Sequence, residues 1–386
     1  MNYSEEQHEA IDLGTDKSKR LVGITGPAGT GKTTIIGEMI HSGEFNMPAL
    51  VAPTGRAAKR IQEATGIPAK TIHRFMRYSM PADDEEAGFP SYDKQNRFPH
   101  DAIFVDESSM VSEELYRALV DAMPPRACIR FIGDANQLPP VESISPFVKL
   151  LEKWPSIRLT KNFRSGDGIV TAANQIIANR VPEPNEKFRM LNPGNGNILP
   201  ALDEFVDDTF RGLNGQVITP TRVGKYGTQQ LNNYFQQRLN PSGPRIAIRV
   251  NDEEIRKFRE GDKIIQTKND YKLNVFNGEI GWVVAIEDDD IIISIDDRDI
   301  RLPPHMESYD PYTNKTIGHY DPRRNLDLAY AVTTHKAQGS EFDRVVILIQ
   351  RSYVLNRANF YTAVTRAKEQ CTVICGPGAL HQALKK

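Results

Sequence analysis

Residues 20–33 have the sequence RLVGITGPAGTGKT, an apolar run followed by a glycine-rich turn. RLVGIT predicts a buried strand, and GPAGTGKT (26–33) fits the pattern G-x-x-x-x-G-K-[ST]. In this pattern glycines let backbone N–H groups point at phosphate oxygens, and the following helix adds the positive end of its dipole. Lys32 would reach the β- and γ-phosphates, and Thr33 would hold Mg²⁺. The stretch therefore predicts a phosphate-binding loop; the alternative is an ordinary glycine turn.

The same alternation of apolar runs and helical patterns continues on both sides of this loop. Alternating buried strands and helices are typical of a parallel sheet covered on both faces. The runs fall into two groups, so we expect two α/β sheets. Those of the first half are PALVAPT (48–54), DAIFVDE (101–107) and CIRFIGD (128–134), and those of the second half are GQVITPT (215–221), DRVVILI (343–349) and QCTVICG (370–376).

Two segments interrupt the α/β pattern. Residues 76–100 are polar and contain prolines and scattered aromatics, which indicates a small hairpin insertion. Residues 260–303 favour an all-β insertion, a small barrel, with a hairpin at Asn277–Gly278 and an acidic turn at Asp288–Asp290. The tract 304–325 is predicted to be a loop.

The composition is that of an ordinary globular protein. The chain has 386 residues, of which 39% are hydrophobic and 25% charged, and its net charge is −2. No apolar run approaches the roughly 18–20 residues that cross a bilayer, and the first twenty residues lack the apolar core of a signal peptide. Three cysteines, Cys128, Cys371 and Cys375, are interpreted as buried thiols in a reducing cytoplasm rather than as a metal or redox site.

Polar side chains follow two of the predicted strands. Asp106 ends the strand in FVDES and Glu107 comes next, an arrangement in which one carboxylate holds Mg²⁺ and the other polarises the attacking water. A solvated acidic turn is the alternative. The next strand ends in GDANQLPP, where Gln137 is placed to sense the γ-phosphate and Asp134 to join the same network. Alone, that segment would indicate only a proline-rich turn.

The motifs form a recognisable series from residue 4 to about 376. In order they are GPAGTGKT, APTGRAAKR, TIHRF, VDESSM, GDANQLPPV, LTKNFRS, TTHKAQGSEFD and YTAVTRAK. This series resembles the superfamily 1B DNA helicases, most closely their RecD-like and Dda-like branch. The resemblance implies two RecA-like domains, with ATP between them and single-stranded DNA across their tops. It also implies 5′→3′ movement.

The resemblance assigns roles at the nucleotide. Arg164 and Arg366 match two arginines that meet the γ-phosphate from the second domain. Gln7 matches a glutamine that recognises adenine, and Phe163 matches either a residue that stacks on the base or one that packs between domains. Glu341 matches a carboxylate that contacts ribose, and Gly339 would bring backbone close to phosphate. The loop residues expected to bind ATP are Gly26, Pro27, Ala28, Gly29, Thr30, Gly31, Lys32, Thr33 and Thr34. The catalytic set is Lys32, Asp106, Glu107, Gln137, Arg164 and Arg366, and the metal set is Thr33 and Asp106.

The resemblance also assigns contacts to DNA. The matching positions are Thr54, Arg56, His73, Thr334 and His335, although such residues alone would be caps, turns or a buried histidine. A strand-separating pin is expected in the insertion at 76–100, with Phe89, Tyr92 and Phe98 as candidate tip residues and Phe98 assigned to DNA. If these rings do not touch DNA, they anchor the insertion to its domain. In the SH3-like insertion, Tyr271, Lys272 and Asn274 are further candidates for contact with DNA.

The predicted fold is α/β, with two RecA-like parallel-sheet P-loop domains that carry a short hairpin insertion and a small SH3-like β-barrel insertion. Domain 1A is placed at 1–155 with the pin-like insertion 1B at 76–100. Domain 2A is placed at 156–247 plus 325–386, and the SH3-like insertion 2B at 248–324.

The predicted protein is an ATP- and Mg²⁺-dependent 5′→3′ DNA helicase. Its expected partners are single-stranded DNA, junctions with duplex, and replication or recombination proteins; a cytoplasmic monomer of bacterial or phage origin is expected. A translocase that displaces proteins without efficient unwinding, and a P-loop small-molecule kinase, remain as alternatives. The net charge of −2 alone gives no sign of a polyanionic partner. The acidic residues, however, gather in the two insertions, whereas the motif segments GRAAKR and TIHRFMR are basic. We therefore expect a local positive field along the DNA path, few phosphate contacts and a DNA affinity that depends only gently on salt.

Overall fold

The computed structural model describes residues 3–78, 90–140, 145–163, 168–194, 198–207, 210, 212–250, 253–270, 272–309 and 316–385. These residues divide into two compact units, one before residue 167 and one after it. Among them there is no helix of the length and apolarity required to span a membrane.

The first unit is built on a six-stranded sheet. Its strands are β1 (Leu21–Thr25), β2 (Pro48–Ala52), β3 (Ala69–Thr71), β4 (Ala102–Val105), β5 (Cys128–Gly133) and β6 (Ser156–Arg158). They lie in the order β3-β2-β4-β5-β1-β6, and every neighbouring pair is parallel. The helices are α1 (Glu5–Thr15), α2 (Lys32–His41), α3 (Gly55–Thr65), α4 (Ile72–Met76), α5 (Glu113–Asp121) and α6 (Phe147–Leu151), and a 3₁₀ turn spans Ser108–Met110.

Both faces of this sheet are covered, as the continuous apolar runs predict. Successive side chains of a strand point to opposite faces. On β4, Phe104 therefore packs with Val22 and Ile36 on one side, while Ile103 and Val105 pack on the other. This two-sided burial is why the strands are apolar throughout rather than alternating.

The second unit contains a five-stranded parallel sheet and several antiparallel elements. Its strands are β7 (Phe188–Leu191), β8 (Gly215–Thr219), β9 (Arg245–Val250), β10 (Glu253–Arg259), β11 (Lys263–Gln266), β12 (Ile280–Glu287), β13 (Asp290–Ile295), β14 (Arg298–Leu302), β15 (Met306–Tyr309), β16 (Thr316–Tyr320), β17 (Leu326–Leu328), β18 (Ala331–Thr333), β19 (Phe342–Ile349) and β20 (Ala367–Cys375). The parallel sheet has the order β18-β8-β19-β20-β7. The helices are α7 (Gly168–Ile177), α8 (Ile198–Phe205), α9 (Thr228–Leu239), α10 (Arg357–Val364) and α11 (Ala379–Ala383), with a 3₁₀ turn at Pro322–Asn325.

The all-β insertion is an open antiparallel sheet in the part of the chain that the structure describes. Its strands pair in the order β14-β13-β12-β11-β17, and β9 and β10 form a separate two-stranded ribbon. The acidic turn at 288–290 joins β12 to β13, with Asp288 at φ +53°. The sequence predicts a small barrel here, but the hydrogen-bonded strands that the structure describes do not close into one.

Two sequence predictions require correction. The tract 304–325 was predicted as a loop, but β15 and β16 form an antiparallel ribbon there. The boundary after residue 155 is too early, because β6 pairs with β1 and so belongs to the first sheet. Both elements are short and polar, so neither gives a clear apolar signal.

All three cysteines are buried thiols, as interpreted from the sequence. Cys371 and Cys375 lie on β20, and burial raises the pKa of both. Neither is poised as a nucleophile at neutral pH, because the thiolate is the reactive form.

Candidate nucleotide and nucleic-acid sites

The glycine-rich loop lies between β1 and α2, the context that the sequence predicts. Gly29 and Gly31 have φ values of +83° and +80°, a region that disfavours side chains. A Cβ on Gly31 would also lie 2.4 Å from the Nε2 atom of Gln7. The conformation and the close approach both require glycine at residue 31.

Lys32 folds back over this loop. Its Nζ atom donates to the carbonyls of Gly26 at 2.7 Å and Pro27 at 2.9 Å. Thr30 Oγ1 donates to the same Pro27 carbonyl at 2.9 Å. The ammonium group is thus held at the loop itself, where a phosphate ligand would meet it.

Helix α1 brings Gln7 against the loop. The side chain is 4% exposed, and its Nε2 atom donates to the Thr30 carbonyl at 3.2 Å. Its Oε1 atom accepts from the Ser4 N–H at 3.0 Å, which completes a capping box at the start of α1. Both ends of the amide therefore have protein partners, and Gln7 links the helix cap to the loop.

Glu6 extends this connection to the segment after β6. Its carboxylate accepts from the backbone N–H groups of Thr160 at 2.6 Å and Lys161 at 3.0 Å, and from the Thr160 hydroxyl. These hydrogen bonds lower the pKa of Glu6. Sequence reasoning missed Glu6; the signal available was an acidic residue beside Gln7 on a helix that begins next to the loop.

The segment that Glu6 holds also contacts the loop directly. Asn162 Nδ2 donates to the Ala28 carbonyl at 2.7 Å, and the Phe163 N–H donates to the Gly29 carbonyl at 2.9 Å. The Phe163 ring is 47% exposed. Asn162 was also missed, whereas Phe163 lies beside the loop as predicted, with the Lys161 ammonium 5.6 Å from the centroid of its ring. Arg164, two residues beyond Asn162, lies outside the described residues.

Asp106 and Glu107 lie at the carboxyl end of β4. Burial, and after it the neighbouring Glu107 charge, raise the pKa of Asp106 to about 6, although Lys32 opposes the shift. Glu107 has φ +51°, a left-handed conformation that costs a non-glycine residue of order 1–2 kcal/mol. Backbone strain of this kind collects at functional sites.

Asp134 and Gln137 lie in the segment that follows β5, the strand next to β4. Asp134 is fully buried and accepts from the Asn136 N–H at 3.0 Å. The Gln137 side chain is 8% exposed, and its Oε1 atom is buried without a hydrogen-bond partner among the described residues. An unpaired buried acceptor costs free energy unless a ligand or water satisfies it. Gln137, the residue predicted to sense the γ-phosphate, thus has a side-chain oxygen that no described residue uses as an acceptor.

The predicted DNA contacts in the first unit differ in accessibility. Thr54 caps α3, since its Oγ1 accepts from the Ala57 N–H at 3.2 Å. Arg56 is half-buried. His73 packs against Tyr78 with ring centroids 4.9 Å apart, and burial lowers its pKa, so it is neutral at physiological pH.

Phe98 is not placed to stack on a base. Its ring is 1% exposed and packs against Phe75, Tyr92 and His100. The prediction that Phe98 contacts DNA is therefore corrected: it anchors the insertion, and Tyr92, 8% exposed, does the same. Phe89, the third candidate, lies outside the described residues.

In the second unit, the motif residues are mostly buried. Thr334 is 1% exposed and donates to Asn359 Oδ1 at 3.0 Å. Arg366 is 2% exposed and donates to the Thr362 carbonyl at 3.0 Å and the Ser340 carbonyl at 3.2 Å. Arg366 is thus engaged within its own unit, and contact with a nucleotide would require its guanidinium to exchange these partners.

The remaining motif residues of the second unit are less buried than this pair or have a left-handed backbone. His335 is partly buried, which lowers its pKa, and Gly339 has φ +73°. Glu341 is half-buried. In the insertion, Lys272 donates to the Glu307 carbonyl at 3.3 Å and Asn274 has φ +54°, while Tyr271 lies outside the described residues.

Three domain families match the chain in succession. The AAA domain matches residues 7–143, the SH3 domain of ATP-dependent RecD-like DNA helicases matches 231–296, and the C-terminal domain of UvrD-like helicases matches 328–374. The second of these models is described for RecD-like DNA helicases, and helicase or ATPase-type models match the segments on either side of it. The all-β insertion is accordingly the RecD-like SH3 domain.

Curated relatives agree with this class. The ATP-dependent RecD2 DNA helicase of Deinococcus radiodurans is 33% identical over 95% of this chain and 48% of its own length. The RecBCD enzyme subunit RecD of Mycolicibacterium smegmatis is 29% identical over 99% of this chain and 73% of its own. The chain thus spans about half the length of the first of these relatives.

Solved structures share the fold. Pif1 helicase from Bacteroides, in complex with ADP-AlF3 and single-stranded DNA, matches with a TM-score of 0.62 at 21% identity, covering all of this chain and 95% of that one. Pif1 helicase from Candida albicans matches with a TM-score of 0.62 at 18% identity, covering 97% and 94%.

Proposed function

We propose that this protein is an ATP-dependent DNA helicase that moves 5′→3′ along single-stranded DNA. The observation that carries the proposal is the assembly around the phosphate loop, in which Lys32, the acidic pair and Gln137 meet at the carboxyl ends of neighbouring strands. Gln7 and Phe163 contact the loop itself, at the carbonyls of Thr30 and Gly29. An unmet buried acceptor in Gln137 supports a ligand at this edge.

Each part of this assembly has a role in ATP hydrolysis. Backbone N–H groups of residues 26–33 and the Lys32 ammonium hold the phosphates. Thr33 and Asp106 would hold Mg²⁺, which would supply charge neutralisation at the phosphates; a half-buried carboxylate within electrostatic range of Lys32 fits that ion. Glu107 orients and deprotonates water, Gln137 responds to the γ-phosphate, and Phe163 packs on adenine beside Gln7.

Two arginines complete the reaction in this proposal, Arg164 before the unit boundary near residue 167 and Arg366 after it. Arg164 and Arg366 stabilise charge on the γ-phosphate, an effect of about 10³–10⁵ in rate where such residues have been measured. Gly339 and Glu341 approach phosphate and ribose. Thr54, Arg56 and His73 contact the DNA from the first unit, and Thr334 and His335 from the second. Hydrolysis then depends on both units, which is how it is coupled to strand movement.

The relatives support DNA as the polymer. The Deinococcus relative carries the name of an ATP-dependent DNA helicase. A small-molecule kinase would use the phosphate loop but would have no need for the RecD-like SH3 domain matched at 231–296. A translocase that does not open duplex would share every contact described, so unwinding itself has to be measured.

The first experiment compares ATP hydrolysis with and without single-stranded DNA. We expect strong stimulation of the wild type and loss of turnover in Lys32→Ala, with Lys94→Ala, a surface lysine that pairs with Asp121, as the control. Substantial residual hydrolysis in Lys32→Ala would refute the site. Phosphate transfer to a small acceptor, without stimulation by DNA, would replace the helicase proposal with the kinase.

A further inference from the structure

A groove runs beside helix α9 in the second unit. It lies between α9 and the ribbon strand β10 and has a volume of about 760 Å³. The cationic residues of its wall are Arg222, Arg245, Arg256, Lys257 and Arg259. Among the described residues that line it, Asp327 alone is acidic, so the groove is strongly positive in a chain of net charge −2.

One face of α9 supplies the groove with amides. Gln229, Asn233 and Gln237 are spaced by four residues, which places them on one side of the helix, and all three are exposed. Leu231, Phe235 and Leu239 occupy the opposite face and are buried. With a rise of 1.5 Å per residue, the row of amides spans about 12 Å.

The four arginines of the wall divide into two kinds. Arg256 lies 3.6 Å from Asp327 and donates to the Arg324 carbonyl, and Arg259 donates to the Asn240 carbonyl, so both hold the wall together. Arg222 and Arg245 are exposed, and their guanidinium groups make no hydrogen bond or ion pair with any residue that the structure describes. These two remain available to a ligand.

The groove is close to the motif TTHKAQG. Lys336 of that motif donates to Asn277 Oδ1 at 2.9 Å, and its ammonium lies within electrostatic range of Arg222, Arg256 and Asp327. Lys336 directly follows His335, one of the residues to which DNA contact is proposed. The cationic wall of the groove is therefore near the motif to which DNA contact is proposed.

We infer that the groove binds the phosphodiester backbone of single-stranded DNA beyond the motif at 333–339, with Arg222 and Arg245 contacting phosphates and the α9 amides contacting phosphate or sugar. This inference rests on the proposed function. Backbone contact is favoured over base stacking, because the aromatic residue in the wall, Phe258, is fully buried. An acidic peptide would need apolar pockets, and Ile255 is the exposed apolar side chain that the described wall offers.

The test is the salt dependence of binding. Each phosphate contact to a single strand contributes about 0.7 to the slope of log affinity against log salt. We expect Arg222→Gln/Arg245→Gln to lower that slope by about 1.4 and to weaken oligothymidylate binding severalfold at low salt. The matched control is Arg180→Gln/Arg249→Gln, which removes two exposed cations of the same unit that do not line the groove. Circular dichroism verifies that both variants fold.

The outcomes separate this inference from the function on which it rests. A wild type that does not bind single-stranded DNA refutes the proposed function and the groove together. A wild type that binds, with equal slopes for the groove variant and its control, overturns the groove alone. Binding of polyglutamate that requires Arg222 and Arg245, while DNA affinity is unchanged, assigns the groove to an acidic protein partner and also overturns the inference.

Discussion

The side-chain amide of Gln7 donates a hydrogen bond to the backbone carbonyl of Thr30 at 3.2 Å. This contact joins the first turn of α1 to the centre of the phosphate-binding loop. The adjacent Glu6 holds the segment that ends in Phe163. The first turn of α1 therefore positions both the loop and the aromatic ring beside it, and a change in Gln7 should alter nucleotide binding.

Gln7→Glu should weaken ATP binding by roughly tenfold. The carboxylate still accepts from the Ser4 N–H, but it has no donor for the Thr30 carbonyl and places a buried charge beside it. A loss of about 1.4 kcal/mol corresponds to tenfold in affinity. The measurement is the dissociation constant of a fluorescent ATP analogue.

Ser4→Ala is the matched control for this prediction. It removes the hydroxyl that caps α1, at a cost of about 1 kcal/mol in stability, and leaves the contact between Gln7 and Thr30 in place. If both variants weakened ATP binding equally, the helix cap rather than the loop contact would be responsible.

Replacements of Glu107 should separate backbone strain from chemistry. Glu107→Gly and Glu107→Ala both remove the carboxylate, so both should abolish turnover. The left-handed backbone at φ +51° should make the glycine variant more stable than the alanine variant by about 1 kcal/mol. Thermal unfolding measures the difference; equal stabilities would show that the strain is not present in solution.

Glu107→Gln should retain ATP binding while hydrolysing poorly. The amide keeps the shape of the side chain but cannot take a proton from water. Equilibrium binding and single-turnover hydrolysis distinguish the two effects. Loss of binding would assign Glu107 a structural role instead.

Phe163→Ala should raise the KM for ATP severalfold with little change in stability. The ring is 47% exposed, and substitutions at such positions usually alter stability by less than about 0.5 kcal/mol. Phe163→Trp keeps a flat apolar face and should restore binding. A large loss of stability in the alanine variant would identify Phe163 as a packing residue.

Phe98→Ala should destabilise the first unit by about 3–5 kcal/mol, because the ring is fully packed. Phe98→Leu conserves more of the volume and should fold, with a cost of under about 1.5 kcal/mol. DNA affinity of the folded leucine variant should equal that of the wild type. A clear loss of DNA affinity would show instead that Phe98 contributes to DNA binding despite its burial.

Sequence patterns predicted the two parallel sheets well. Each buried strand is a continuous apolar run, so the runs at 20–25 and 343–349 coincide with β1 and β19 to within one residue. The phosphate-binding loop was also predictable, because its backbone conformation requires a glycine at residue 31. Short polar elements gave no such signal, which is why β6 and the ribbon of β15 and β16 were missed.

Site residues were less predictable where burial decides their role. Phe98 and Arg366 are of types that contact nucleic acid and phosphate, but both are buried within their own units, which their residue type does not indicate. Glu6 and Asn162 act through backbone groups more than a hundred residues away. Single-sequence patterns report local periodicity and not such contacts.

The most direct test of the central claim is unwinding of duplexes that carry a single-stranded tail on only one end. With ATP and Mg²⁺, the protein should separate the duplex with a 5′ tail and leave the duplex with a 3′ tail intact, and Lys32→Ala should separate neither. Preferential unwinding from the 3′ tail would contradict the direction. DNA-stimulated ATP hydrolysis without unwinding of either substrate would contradict the helicase and leave a translocase.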